Sequence, residues 1–216
     1  TPATSVTVPD DYRGKDISSV WYNSRFYRAG LLWINNHFMI RDIHMFDASI
    51  ESDYLRKAGT TSYCEYITPP FVDGFLWSTK KDKAGLRLVT FKADGTSKEI
   101  PVKSHECVES GNGILTVLCN TDYGQFKLLF NEDAMTVSFA PATGSEPLKW
   151  ALEFKAIVKD ALPFTNISDK AISASHRGYD YKVRLIEGNF ISKDSDFSSW
   201  QILPQDDRLV LSGVLK

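Results

Sequence analysis

Arg41, Asp42 and His44 put a cation, a carboxylate and an imidazole within one short run, and no other stretch is so equipped for chemistry. On a strand, residues two apart share a face, so Asp42 and His44 are expected side by side with Arg41 turned away. A carboxylate beside an imidazole can orient it as a base or make it a better proton donor. The same pair also has a purely structural use, since a half-buried imidazole needs a hydrogen-bond partner and Asp42 can supply it. Glu65 completes the candidate catalytic set of His44, Asp42 and Glu65. No nucleophile motif such as G-x-S-x-G accompanies it.

A second group mixes rings with polar groups: Trp33, His37, Arg41, Tyr54, Tyr63, Tyr66, Asp73 and Trp77. Sugars have an apolar face and polar edges, so their sites pair stacking aromatics with Asp, Glu, Asn, Arg or His. Trp33, His37, Arg41, Tyr54, Tyr66, Asp73 and Trp77 are therefore the candidate ligand-binding residues. Their alternative use is as sandwich core with polar ends at the surface. Glu65 and Asp73 also qualify as a glycosidase carboxylate pair, a role that their separation in space decides. His176-Arg177-Gly178 reads as a basic turn able to meet a carboxylate, or simply as a turn with a surface arginine. Asp194 and Asp196 with Asp206 and Asp207 offer oxygen ligands but lack the spacing of a calcium loop, and no metal or cofactor is expected.

The elements that must position these groups are strands. Gly30 to Ile34 and Phe38 to Phe46 read as a hairpin about Asn35-Asn36-His37, because asparagine tolerates left-handed backbone. On a period of two, Phe38, Ile40, Asp42, His44 and Phe46 share one face. A helix over 32–46 is the rival, weakened by the adjacent asparagines and the β-branched content. Residues 49–59 fit one short helix ending at Gly59, and Pro69-Pro70 marks a loop or sheet edge. From Gly85 onward, runs of five to seven residues alternate with Gly, Asp and Asn turns, the pattern of antiparallel meanders. Trp150, Leu152, Phe154 and Ala156 alternate with Glu153 and Lys155; Tyr181, Val183 and Leu185 alternate with Asp180, Lys182 and Arg184. The expected fold is all-β, an antiparallel β-sandwich of two packed sheets with at most one or two short helices. Residues 1–18 are expected to be an extended N-terminal segment and 19–216 a single sandwich domain.

Composition narrows the function classes. A chain of 216 residues that is 43% hydrophobic and 12% aromatic can bury a large core, which rules out a disordered protein. With 25 basic and 27 acidic residues, the net charge of −2 gives no overall drive toward polyanions, so neither nucleic acid nor an anionic membrane surface is expected as partner. Lys80, Lys81, Lys83, Arg87, Lys92, Lys98 and Lys103 form a locally basic region, diluted by Asp82, Asp94 and Glu99 and read as a solvated strand face. No apolar run reaches the roughly 18 residues that a membrane helix needs. The small, polar, Pro-bearing start at Thr1-Pro2-Ala3-Thr4 looks like the mature end left by secretion, or a linker, so a secreted, periplasmic or cell-surface location is expected. Three cysteines, Cys64, Cys107 and Cys119, leave at least one free. If residues 110–113 form a tight turn, Cys107 faces Thr116, and Cys119 lies roughly 10 Å away, too far for a disulfide.

The Thr/Pro-rich start, the long meander and the Trp-x-Leu-x-Phe strand at 150–154 together resemble β-sandwich domains of secreted bacterial carbohydrate-processing proteins. Some of these are the amino-terminal super-sandwich partner of a glycoside hydrolase. The resemblance implies a carbohydrate ligand and the possibility of an additional domain in the full-length protein. Three functions stay open: a secreted carbohydrate-binding sandwich, alone or as an accessory domain; a hydrolase, lyase or epimerase using a His/Asp/Glu site; and a structural or protein-interaction domain.

Overall fold

The computed structural model describes residues 3–9, 16–50, 68–160 and 162–215. The first half of the chain forms β1 (Thr4–Val8), β2 (Ile17–Asn23), β3 (Tyr27–Ile34), β4 (His37–Met45), β5 (Pro70–Asp73), β6 (Gly85–Phe91), β7 (Ser97–Glu99), β8 (Ser104–Ser110) and β9 (Ile114–Asn120). The second half forms β10 (Gly124–Phe130), β11 (Ala134–Pro141), β12 (Trp150–Lys155), β13 (Phe164–Ile167), β14 (Ala171–His176), β15 (Tyr179–Glu187), β16 (Asn189–Ser192), β17 (Ser199–Leu203) and β18 (Arg208–Ser212). Among the described residues there is no helix, and the fold is an all-β antiparallel sandwich. The rival helix over 32–46 is replaced by β3 and β4, joined by a turn with Asn35 in the left-handed region. Most of the short helix expected over 49–59 lies outside the described residues.

One sheet runs β1-β2-β3-β4-β6-β12-β17-β16, with β5 also paired to β4 and β7 to β6. The other runs β13-β14-β15-β18-β11-β10-β9-β8. The N-terminal stretch is an edge strand, β1, laid along β2.

Alternation builds the layer between the sheets. Phe126, Leu128 and Phe130 of β10 point inward while Gln125 and Lys127 face water. Tyr181, Val183 and Leu185 of β15 do the same. Phe154 stacks on Trp200 with ring centroids 4.7 Å apart, and Trp77 and Phe164 meet Phe154 edge-on at 5.7 and 5.8 Å. Each such large side chain contributes about 1.5–3 kcal/mol on full burial. Buried tyrosines carry their hydroxyls to backbone carbonyls. Tyr27 donates to Ala134 O at 2.8 Å and Asn131 O at 2.9 Å, Tyr22 to Gly113 O at 2.9 Å, and Tyr181 to Pro70 O.

Strict alternation fails where the candidate site begins. The β3–β4 register shifts opposite Gly30–Leu31, so that Gly30 faces Asp42 and Leu31 faces Ile40. Arg41 is the extra residue of a β-bulge, which reverses the faces of everything after it. Phe38 and Ile40 enter the core before the bulge, and Ile43 and Met45 after it. The single face expected to hold Phe38, Ile40, Asp42 and His44 is therefore broken in two. Asp42 and His44 stand on the side away from the opposite sheet.

A second register correction concerns the thiols. Ser110 pairs with Ile114, so the β8–β9 loop has three residues, with Asn112 and Gly113 both in the left-handed region. Cys107 consequently faces Val117, not Thr116. Cys107 and Cys119 are free, as expected, while Cys64 lies outside the described residues.

Candidate functional site

The bulge and the strand beside it assemble a buried polar cluster. Asp42 and His44 are two apart on β4, and Asp73 of β5 is the cross-strand partner of Asp42. All three are nearly inaccessible, at 4%, 2% and 2% exposure. The expected Asp42–His44 pairing is not the one that forms. His44 Nε2 lies 3.3 Å from Asp73 Oδ2, and its Nδ1 lies 2.9 Å from Thr68 Oγ1. Asp42 instead accepts from its neighbour Arg41, Nε to Oδ2 at 2.5 Å, and from the Gly74 amide at 3.2 Å. Arg41, expected to point away, reaches back across the bulge to do this, with its guanidinium 5.5 Å from the Trp21 ring.

The electrostatics follow from these contacts. Burial pushes the Asp73 carboxyl up. The His44 hydrogen bond, the Leu76 amide, the imidazole's charge and the Phe75 amide together outweigh this and hold it below the ordinary carboxylate range. One donor atom each from Asp42, His44 and Asp73 fall within 4.8 Å of one another, a spacing compatible with a cation. In this structure Arg41 and the Gly74 amide meet the two Asp42 oxygens, the Phe75 and Leu76 amides meet Asp73 Oδ1, Thr68 meets His44 Nδ1, and His44 Nε2 and Asp73 Oδ2 face each other. The cluster works as a lock on local structure.

What it locks is the loop from 74 to 84. Asp73 Oδ1 accepts from the Phe75 amide at 2.9 Å and the Leu76 amide at 2.7 Å, and Trp77 N closes the turn on Asp73 O. Ser78 Oγ donates to Gly74 O at 2.7 Å and accepts from Ala84 N at 2.8 Å, tying both ends of the loop together. Between these fastenings, Phe75 is 75% and Leu76 51% exposed, while Trp77 is driven into the core. Lys80 and Lys81 follow on a second turn, closed by Thr79 N to Asp82 O at 2.9 Å. The basic run was expected on a strand face; its first members are on this loop instead. No strand or helix period marks the loop in sequence. The available signal was the order Asp-Gly-Phe-Leu, a turn former followed by two apolar residues that no alternation buries.

The other candidates scatter. Trp33 is buried, and His105 of β8 stacks on it with centroids 4.0 Å apart and the planes 9° from parallel. Beside this pair opens a cleft of about 630 Å³ lined by Asp16, Ser18, Asn35, Lys103 and His105 among others. Ser18 Oγ lies 3.1 Å from His105 Nε2, and partial burial lowers the His105 pKa. His105 was not singled out in sequence because nothing around it repeats or clusters. His37 is exposed and meets Glu99 at 3.0 Å. Tyr54, Tyr63, Glu65 and Tyr66 lie outside the described residues. His176 ends β14 opposite Tyr179, and Arg177 and Gly178 form the β14–β15 turn, both in the left-handed region. Asp194 and Asp196 hold the amides of Ser199 and Ser198, and Asp207 accepts from Trp150 Nε1 at 3.0 Å, so these acids serve two separate places.

No protein-family model and no curated protein matches this sequence. Among solved structures, the chain is similar to one described as "Active YidC insertase crystal structure with the first transmembrane domain resolved", at 10% identity and a TM-score of 0.47. The match covers 95% of this chain and 40% of that one, so the chain spans well under half of its length. At that TM-score the likeness carries no argument. No helix among the described residues is long and apolar enough to cross a membrane.

Proposed function

We propose that this chain is a non-catalytic docking domain, a rigid sandwich that engages another macromolecular surface through the loop from 74 to 82. The observation that carries this reading is the use made of Asp73. A nearly inaccessible carboxylate spends its acceptors on the amides of Phe75 and Leu76, and the two side chains so fixed stand 75% and 51% in solvent. Burying charge is costly unless it is paired and hydrogen-bonded, and here the pairing holds an apolar tip in place. Solvent-facing apolar side chains on a braced loop are the ordinary make-up of an interaction site. An acid–base role for Asp42 and His44 has less support, because both groups are sealed from solvent and already engaged.

The test is a photo-reactive benzoylphenylalanine placed at Phe75, compared with the same residue at exposed Lys127 on the far sheet. Adducts specific to position 75 are expected in cells. Equal or absent adducts at both positions would remove the docking reading.

A second reading, a carbohydrate ligand, is favoured by the polar cleft beside His105 and Trp33. There the histidine ring, backed by the indole, offers a flat face among Asp16, Asn35 and Lys103. Retardation in a polysaccharide gel that disappears in His105→Ala would support it, and mobility independent of that substitution would end it.

A further inference from the structure

Taking the docking reading as its basis, we infer that the surface met by this loop is an anionic lipid interface. The near-neutral chain as a whole has no attraction to such a surface, but charge acts over a Debye length of about 8 Å, so the local arrangement decides. Two exposed apolar side chains, Phe75 and Leu76, are followed within five residues by Lys80 and Lys81, and then by Lys83, against the single acid Asp82. That pattern joins the two elements of peripheral membrane attachment: apolar groups for the acyl boundary and lysines for the headgroups.

Three features favour lipid over a protein groove. The apolar tip is small, since Trp77, the next ring, turns into the core and leaves Phe75 and Leu76 as the apolar side chains of this turn in solvent. A protein partner would need a shaped pocket for them; a bilayer interface needs none. The lysines are also uncommitted to acids: Lys83 Nζ donates to the Thr79 carbonyl at 3.1 Å, and among the described residues no acid pairs with Lys80 or Lys81. Finally, the loop is pre-ordered by Asp73, Ser78 and Thr79, so docking requires little further loss of conformational freedom.

The experiment is flotation of the full chain with vesicles of phosphatidylcholine alone and of phosphatidylcholine mixed with phosphatidylglycerol. Binding is expected only to the mixed vesicles, with loss at high salt. Removing two lysines in Lys80→Ala/Lys81→Ala should weaken binding by roughly thirtyfold, and Phe75→Ser/Leu76→Ser should abolish it. All four side chains are exposed, so the variants should melt like the parent, which separates lost docking from lost folding. Absence of binding to mixed vesicles, or binding indifferent to Phe75→Ser/Leu76→Ser, overturns the inference. If position 75 then still gives specific protein adducts, the docking reading survives with a protein as its partner; if it gives none, both fail.

Discussion

Replacing Asp73 by alanine removes the acceptor that connects the interior of the first sheet to its exposed loop. Three donors lose an Asp73 oxygen: His44 Nε2 at 3.3 Å, Phe75 N at 2.9 Å and Leu76 N at 2.7 Å. The two amides belong to a turn whose side chains are in water, so solvent can take over much of their hydrogen bonding. His44 cannot be rescued in this way, being 2% exposed. Breaking a buried pair by deleting one partner costs about 3–5 kcal/mol, and charge-assisted hydrogen bonds about 1.5–3 kcal/mol each. With the amides discounted for hydration, the expected loss is about 3–4 kcal/mol, or a fall in melting temperature on the order of 10 °C for a chain of this size. Asp73→Asn keeps an oxygen for the amides but not the charge, and should lose about half as much. Urea unfolding followed by tryptophan fluorescence gives the values, and a double-mutant cycle with His44→Ala isolates the pair. A coupling of about 1–3 kcal/mol is expected. A loss under about 1 kcal/mol for Asp73→Ala, or strict additivity with His44→Ala, would refute the locking role.

Acid unfolding should report the same carboxylate. Because Asp73 titrates below its unfolded value of about 3.9, its contribution is complete above that pH and is lost as the pH falls through the folded pKa. The unfolding free energy of Asp73→Asn should therefore decline less steeply below about pH 4 than that of the parent; parallel curves would contradict the assignment. Burial pushes the Cys107 thiol up to about 11, with Glu106 adding to the rise, and the Cys119 thiol up to about 12, with the neighbouring Cys107 thiol adding to it. In a Cys64→Ser background, both should react slowly with a thiol reagent at neutral pH and fast in denaturant. Rapid native reaction would show a more open β8–β9 edge.

The fold was readable because turn residues and period-two alternation act locally. Phe126, Leu128 and Phe130 against Gln125 and Lys127 place a strand and its inner face without reference to any partner. The site was only half readable for the opposite reason. Asp42, His44, Asp73 and Trp33 were singled out by residue type, yet their relations depend on one inserted residue at Arg41 and on which strand pairs with β4. A bulge has no period, so the alternation that placed Asp42 and His44 beside Ile40 could not detect it. Pairing between strands separated by the stretch from 46 to 69 is a long-range choice, and the exchange of Asp42 for Asp73 as the partner of His44 follows from it. Lys80, Lys81 and Lys83 look like a strand face only if β6 is begun too early; Gly85, at a positive φ of 151°, is where it starts.

The place of the cluster has a physical cause in the sheet itself. Strand β4 changes partner along its length, pairing with β6 at Ile40 and with β5 at Asp42 and Ile43. The sheet forks at Arg41, and β5 and β6 leave the fork joined by the loop from 74 to 84. Glycines stand on both branches because neither leaves room for a side chain. A Cβ on Gly74 would strike the Arg41 side chain and carbonyl, and one on Gly85 would approach Ile40 O to 2.9 Å. At such a fork the ladder is interrupted, and the Gly74, Phe75 and Leu76 amides have no strand to bond; the buried Gly74 amide in particular would be costly without an acceptor. Asp42 takes the first and Asp73 the other two, while Arg41 and His44 balance the carboxylates. The polar cluster that invites a catalytic reading is thus what a forked sheet requires. The loop it braces keeps Phe75 and Leu76 in solvent.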